Sequence, residues 1–206
     1  MNSIKAKKRL LEILVRKSFI YNEKPTYKLA SGKMSNYYIN CKATTLDAEA
    51  MNLIGYVFYD KIKALHINAI GGLTQGADPI AFSTAMISGI EDKPVNAFVV
   101  RKEAKKHGLQ LEIEGNVQEG DKVVIVDDVV TTGNSTIEAI EKAKKGKLNI
   151  VKVIVLIDRQ EGGKEAIERK GFLFESIFTK DDLINSYKEQ HNNTDSTSLH
   201  TLLVTL

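Results

Sequence analysis

Apolar positions along the chain alternate between helical spacing and short β-branched runs. Spacings of three and four residues predict helices at residues 3–18, 47–64, 80–87, 137–145, 164–170 and 179–190. Short apolar runs predict strands at residues 67–72, 94–101, 123–126, 150–157 and 172–178. This alternation predicts an α/β fold with a mostly parallel central sheet flanked by helices.

The first 45 residues do not follow this alternation of helices and strands. Pro25 and the Ser31-Gly32 turn flank two short extended pieces, Tyr27–Leu29 and Tyr37–Cys41. They predict a small hairpin-like N-terminal hood, preceded by a helix that Ser3 can cap. We expect one domain over residues 1–190 and a C-terminal tail over residues 191–206, which opens as a polar linker. The end of the tail fits either a docked strand or a disordered segment.

The most informative stretch is KVVIVDDVVTTGNST, residues 122–136. A buried strand is followed by Asp127 and Asp128, then by a loop with hydroxyl groups and Gly133, then by a helix. The loop N–H groups, the hydroxyls and the helix N-terminus suit a phosphate monoester. The two carboxylates suit sugar hydroxyls, or Mg²⁺ held through water. A ribose 5-phosphate combines both features, whereas an ordinary capped loop is the alternative for the acidic pair alone.

Two further segments follow predicted strands, where α/β sheets bind ligands. Gly71-Gly72, before the helix that starts near Pro79, forms a second candidate anion site. The segment RKEAKKHG, residues 101–108, places several cations after the next strand. A solvated charged run is the alternative there, but cations beside a leaving group would offset its developing charge.

Composition narrows the possibilities only modestly. The 206 residues are 43% hydrophobic and 27% charged, as in a soluble globular protein. A net charge of +3 is too weak to indicate nucleic-acid binding. The single cysteine, Cys41, excludes an intrachain disulfide, and neither a signal peptide nor a membrane-length apolar run is evident. We therefore expect a cytoplasmic protein.

Four segments together carry a family resemblance: YKLASGKMSNYYIN, GGLTQGADPIA, RKEAKKHG and VVIVDDVVTTGNST, supported by LIDRQEGG. The last of the four resembles the signature for 5-phosphoribosyl 1-pyrophosphate (PRPP) of type I phosphoribosyltransferases. With the basic segment, the chain resembles orotate phosphoribosyltransferases from about Ile20 to Ile184. The resemblance implies transfer of the phosphoribosyl group of PRPP to orotate, in pyrimidine biosynthesis.

The resemblance also implies residue roles. Lys105 and His107 would serve the pyrophosphate leaving group, and Asp127 and Asp128 would hold the ribose hydroxyls. The expected PRPP contacts are Arg101, Lys102, Lys105, His107, Asp127, Asp128, Val129, Val130, Thr131, Thr132, Gly133, Asn134 and Ser135. The expected orotate contacts are Thr131, Arg159, Tyr37 and Tyr38, with the arginine on the orotate carboxylate. Mg²⁺ would be held by PRPP and water without direct protein ligands, and two subunits would share their active sites in a homodimer.

The chain departs from the family pattern at two positions, Ala30 and Gln75, where many members have lysine. Lys33 and Lys42 are candidates to restore the charge. Three other functions are compatible with the PRPP motif or the fold: a purine-type phosphoribosyltransferase, a PRPP-sensing regulator that binds nucleic acid, and a binding module without catalysis. The lack of a basic face or an added domain disfavours the regulator, and the basic segment disfavours the inert module.

Overall fold

The computed structural model describes residues 2–28, 32, 34–103 and 112–203, with side chains up to His191. Within these residues, six strands form one central sheet. They are β5 (Ala69–Leu73), β6 (Asn96–Val100), β7 (Ile113–Gly115), β8 (Lys122–Val130), β9 (Asn149–Asp158) and β10 (Phe174–Thr179). Their order is β10-β9-β8-β5-β6-β7, and every neighbouring pair is parallel except β6 with β7. The predicted mostly parallel sheet is confirmed.

Helices cover both faces of this sheet. They are α1 (Ser3–Ser18), α2 (Lys42–Thr45), α3 (Ala48–Ile62), α4 (Asp78–Ile90), α5 (Asn134–Lys145), α6 (Gly163–Arg169) and α7 (Lys180–Leu203). Alternate residues of β8 face opposite cores, as a pleated strand requires. Val124 and Val126 pack in the core that contains α1, α3, α4 and α7. Val123 and Ile125 pack in the core that contains α5 and α6.

The N-terminal hood consists of two antiparallel pairs rather than one hairpin. Strand β1 (Phe19–Tyr21) pairs with β4 (Tyr37–Ile39), and β2 (Tyr27–Lys28) pairs with β3 (Met34–Ser35). Helix α1 is capped by Asn2, whose side chain accepts hydrogen bonds from the N–H groups of Ile4 and Lys5, and not by Ser3 as predicted. Asn2 precedes the helix and has an extended backbone, which is the geometry of an N-cap.

Three boundaries differ from the prediction. Residues 113–115 form edge strand β7, where the sequence predicted a turn-rich connection. Strand β8 continues through the acidic pair to Val130. Helix α7 runs to Leu203, where the sequence predicted a helix end near Gln190 and a linker. Polar residues with few glycines or prolines do not end a helix by themselves, which explains the last difference.

Candidate active site

The acidic pair lies in the C-terminal half of β8. Asp127 and Val129 pair in parallel register with Val155 and Ile157 of β9, so Asp127 and Asp128 belong to the strand and do not follow it. Being neighbours in a strand, the two side chains start from opposite faces of the sheet. Both carboxylates nevertheless lie toward the carboxyl end of β8, which is where α/β folds bind ligands.

Neutral donors hold both carboxylates. The side chain of Asp127 is buried, and its Oδ2 accepts a hydrogen bond of 2.7 Å from the hydroxyl of Thr136 in α5. Its Oδ1 accepts from the backbone N–H of Asp128 at 3.0 Å. Oδ1 of Asp128 accepts from the N–H of Val129 at 2.9 Å. These bonds fix the direction of the acids without neutralising their charge.

Burial makes this pair electrostatically costly. It raises the pKa of Asp127 to about 7, and the adjacent charge of Asp128 adds to the rise. Burial also raises the pKa of Asp128, while the positive charge of Lys42 acts in the opposite direction. The thiol of Cys41 lies 3.8 Å from the carbonyl oxygen of Asp128, and burial raises the pKa of that thiol well above its usual value. Hydroxyl donors from a bound sugar would relieve this cost.

The predicted phosphate loop joins β8 to α5. Gly133 has φ +85°, so it adopts the left-handed conformation that glycine accommodates readily. It is the N-cap of α5 and makes no side-chain capping bond, and the N–H of Ile137 makes the first bond back to its carbonyl. The N–H groups before Ile137 are therefore available to an anion. The exposed residues of this loop and first turn are Thr132, Asn134 and Ser135.

Not every residue of the predicted phosphate pocket offers its side chain. Val130 is buried in the core beside α5, and Val129 packs against the opposite core. Their contribution to a ligand site would come from the backbone. Thr131 is half-buried, between the acidic pair and the loop.

The second predicted anion loop lies directly over the acidic pair. A Cβ atom added to Gly76 would stand 2.6 Å from Oδ1 of Asp128 and 3.0 Å from Oδ1 of Asp127, so only glycine fits there. The hydroxyl of Thr74 donates to Oδ2 of Asp78 at 2.7 Å, and Oδ1 of Asp78 is buried with no partner among the described residues. The exposed Gln75 belongs to the same loop.

The start of the basic segment is tied to α5. Nη1 of Arg101 contacts Glu114 of β7 at 2.9 Å. Nζ of Lys142 in α5 donates to the backbone carbonyls of Arg101 and Lys102, at 2.7 and 2.8 Å, and to Glu138 at 2.7 Å. The helix that begins at the phosphate loop therefore also holds the backbone where the basic segment starts. Lys105 and His107, the predicted leaving-group residues, lie outside the described residues, as do Ala30 and Lys33.

The predicted orotate arginine stands in a charged cluster. Arg159 follows β9, and its Nη2 lies 2.9 Å from Oε1 of Glu161 and 3.3 Å from the hydroxyl of Tyr37. That hydroxyl donates to the same Oε1 at 2.7 Å, and the guanidinium lies over the Tyr37 ring at 5.2 Å. Burial raises the pKa of Tyr37. Tyr38, the other predicted tyrosine, is 47% exposed and its ring lies beside that of Tyr27.

The phosphate loop and the turn after Arg159 are in backbone contact. A Cβ atom on Gly163 would lie 2.8 Å from the carbonyl oxygen of Thr131 and 3.1 Å from the nitrogen of Gly133. The N–H of Arg159 also donates to the carbonyl of Val130 at 2.9 Å. The arrangement brings Asp127, Asp128, the phosphate loop and Arg159 to one sheet edge.

Sequence reasoning missed four contributors: Thr136, Lys142, Glu161 and Gly76. Thr136, Glu161 and Gly76 lie inside the motifs quoted above. The spacing of residues in a motif does not identify the partner of each side chain. Lys142 lies on a helix face that carries other lysines, and nothing in the sequence distinguishes it from them.

Comparison with known proteins decides the family. Residues 67–189 match the phosphoribosyl transferase domain. The chain is 39% identical over 178 residues to orotate phosphoribosyltransferase of Aquifex aeolicus, covering 86% of this chain and 97% of that protein. It is 42% identical over 163 residues to the same enzyme of Synechocystis, covering 79% and 82%. The chain belongs to the orotate phosphoribosyltransferase family.

Solved structures of orotate phosphoribosyltransferases have the same fold as this chain. Orotate phosphoribosyltransferase of Mycobacterium tuberculosis in complex with Fe(III) dicitrate aligns with a TM-score of 0.76 at 35% identity, covering 86% of this chain and 98% of that one. The same enzyme in complex with PRPP aligns with a TM-score of 0.72 at 32% identity and the same coverage. These findings confirm the predicted type I phosphoribosyltransferase fold and the predicted orotate phosphoribosyltransferase activity.

Proposed function

We propose that this chain joins the 5-phosphoribosyl group of PRPP to the ring nitrogen of orotate, with Asp127, Asp128, the phosphate loop and Arg159 as the binding groups. The products are orotidine 5′-monophosphate (OMP) and pyrophosphate. The observation that carries this assignment is the placement of the buried Asp127, the half-buried Asp128, an open helix N-terminus and the half-buried Arg159 at one end of the sheet.

PRPP binding follows from the geometry of β8 and α5. The 5-phosphate is held by the N–H groups and hydroxyls of residues 131–135, where the dipole of α5 favours negative charge. The ribose hydroxyls donate to Asp127 and Asp128. The loop that carries Gly76 faces the pyrophosphate side, because it lies over these acids. Arg101 and Lys102 contribute positive charge at the same end.

The reaction requires positioning more than acid–base chemistry. Orotate enters with its carboxylate on Arg159, and its ring nitrogen attacks C1 of the ribose from the face opposite to pyrophosphate. The C–N bond forms as the C–O bond breaks, pyrophosphate leaves with the bonding electrons, and the proton of the attacking N–H is released to water. Negative charge on the acidic pair also stabilises the electron-poor ribose ring.

Lys105 and His107 serve the leaving group in this proposal, on the strength of the RKEAKKHG motif. Lys105→Ala should lower kcat far more than it weakens orotate binding. A variant with unchanged kcat and only a higher KM for PRPP would remove Lys105 from the chemistry.

The acidic pair fits a Mg²⁺ ion that is held mainly by oxygen atoms of PRPP. The described residues contain no group of three or more His, Cys, Asp or Glu side chains that could hold a metal. The pyrophosphate and ribose oxygens would hold the ion, with Asp127 and Asp128 reaching it through water. When bound, it neutralises part of the pyrophosphate charge.

We also propose a homodimer in which subunits share their active sites. Helix α4 exposes an apolar stripe, Phe82, Met86 and Ile90, at intervals of four residues, with 49, 55 and 62% of each residue accessible. Such a stripe is typical of a subunit contact. Sedimentation of wild type and Met86→Glu tests this, and a monomeric wild type would contradict it.

Two expectations complete the proposal. Every proposed substrate contact lies within residues 1–190, and we propose no catalytic role for residues 191–206. A cytoplasmic location is supported by the lone, buried Cys41. In the described part of the chain, no helix has the length and apolar character needed to cross a membrane.

Loss of orotate absorbance tests the function directly. The complete mixture of protein, orotate, PRPP and Mg²⁺ should consume orotate, and omission of any component should stop it. A panel that includes adenine and hypoxanthine separates the purine-type alternative, which would be supported by purine consumption and no orotate turnover.

A further inference from the structure

Glu161 occupies an unusual position for an acid in a site that would bind an anion. It stands two residues after Arg159 and shares Nη2 of that guanidinium with the hydroxyl of Tyr37. The three groups contact each other pairwise, at 2.7, 2.9 and 3.3 Å. Tyr37 belongs to the hood and the other two to the turn after β9, so this triangle joins two distant parts of the chain.

The turn that carries Glu161 is held in place independently. Oδ1 of the buried Asp158 accepts from the N–H of Gln160 at 2.8 Å. Gly162 has φ +94° and leads directly into α6, where Gly163 lies against the phosphate loop. The carboxylate of Glu161 therefore starts from a fixed backbone.

The contacts of Arg159 leave part of its guanidinium free. Tyr37 and Glu161 both contact Nη2, whereas Nε is buried and has no acceptor in the part of the chain that the structure describes. A guanidinium offers five N–H donors in one plane, so fixing one edge aims the remaining donors. A planar carboxylate can then meet them with little loss of side-chain entropy.

We propose that Glu161 is a positioning residue that, with Tyr37, fixes Arg159 for recognition of the carboxylate on the pyrimidine. This rests on the proposed function and adds a specificity determinant to it. Glu161 does not touch the acceptor, because two carboxylates would repel. Its negative charge and hydrogen bonds hold the guanidinium against the Tyr37 ring, and so preserve discrimination between nucleotides with and without the carboxylate.

The test compares binding of OMP with binding of uridine 5′-monophosphate (UMP), which is the same nucleotide without the carboxylate. Titration calorimetry would measure both ligands with wild type, Glu161→Ala, Glu161→Gln and the surface control Glu165→Gln. We expect Glu161→Ala to weaken OMP binding about tenfold, because the Arg159 guanidinium is no longer held in the orientation that its hydrogen bonds to the OMP carboxylate require. UMP binding should be unchanged. Glu161→Gln should recover most of the OMP affinity, since its amide oxygen can accept the same bonds.

Equal weakening of OMP and UMP would overturn the inference, because it would indicate a merely structural role. Unchanged OMP binding in Glu161→Ala would overturn it as well. Wild type that consumes orotate but shows either result would leave the proposed function intact. Wild type that neither consumes orotate nor prefers OMP to UMP would overturn the proposed function, and the role of Glu161 with it. Thermal melts of each variant confirm that the protein tested is folded.

Discussion

The acidic pair and Arg159 lie at the same end of the sheet, but they differ in how their charge is compensated. Asp127 and Asp128 are like charges side by side, and the backbone N–H groups and the hydroxyl that donate to them are neutral. Arg159 has the opposite charge of Glu161 within 2.9 Å. The burial of the first group is costly and hydroxyl donors from a ligand would offset it, whereas the charge of the second is balanced by a residue of the chain itself. Under the proposed roles of these residues, we expect binding energy to be concentrated at the ribose and orientation at the base.

Removing one acid should have the largest effect. We expect Asp128→Ala to lower kcat/KM for PRPP about 100-fold, because a hydrogen bond to a charged acceptor is lost. Initial rates at varied PRPP would measure it, with the exposed Asp92→Asn as control. A loss no greater than that of the control would show that Asp128 does not bind the ribose.

Crowding the acidic pair comes next. Gly76→Ala places a methyl group 2.6 Å from Oδ1 of Asp128, whereas Gly89→Ala meets open space. We expect Gly76→Ala to raise KM for PRPP about 30-fold, because the loop must move away from the acids, and Gly89→Ala to leave it unchanged. Similar KM values for the two variants would mean that this loop does not border PRPP.

Neutralising the buried acid should stabilise the empty protein while it impairs activity. The pKa of Asp127 rises from 3.8 to about 7 on folding. Between these values the folded state binds more protons than the unfolded state, so the free energy of unfolding falls as pH rises. At pH 8 we expect Asp127→Asn to raise the free energy of unfolding by about 2 kcal/mol and the melting temperature by about 4–8 °C.

The same variant at pH 4 provides the control for that stability difference. At pH 4 the side chain at position 127 is largely neutral in the folded state of both wild type and variant. The gain in the free energy of unfolding should therefore nearly vanish. Thermal unfolding at the two pH values measures it. An equal gain at both would assign the effect to packing rather than to charge.

Loosening the balanced group should have the smallest effect. Tyr37→Phe removes a hydroxyl shared by Arg159 and Glu161 but keeps the ring under the guanidinium. We expect KM for orotate to rise about fivefold, with KM for PRPP unchanged, because the remaining ion pair still orients Arg159. A proportionate rise in both constants would indicate that the hood, rather than this hydroxyl, had been disturbed.

The sequence was most informative where chemistry and local structure coincide. Val123 to Val126 are apolar and β-branched because the strand is buried on both sides, and Gly133 is needed for a positive φ, so both could be predicted from residue type. The pairing of the hood strands could not, because pieces of two or three residues carry too little pattern to specify a partner. The contact of Tyr37 with Glu161 spans 124 positions, which no local rule reaches.

The backbone contact between Gly133 and Gly163 constrains how acceptor preference can be redesigned. A Cβ on Gly163 would collide with a methyl carbon of Val130, so no larger residue fits at this position beside the phosphate loop. We therefore expect libraries that randomise residue 163 to disturb the phosphate loop and lower PRPP affinity. Under the proposed roles of Tyr37 and Tyr38, directed evolution toward another base is better aimed at strand β4.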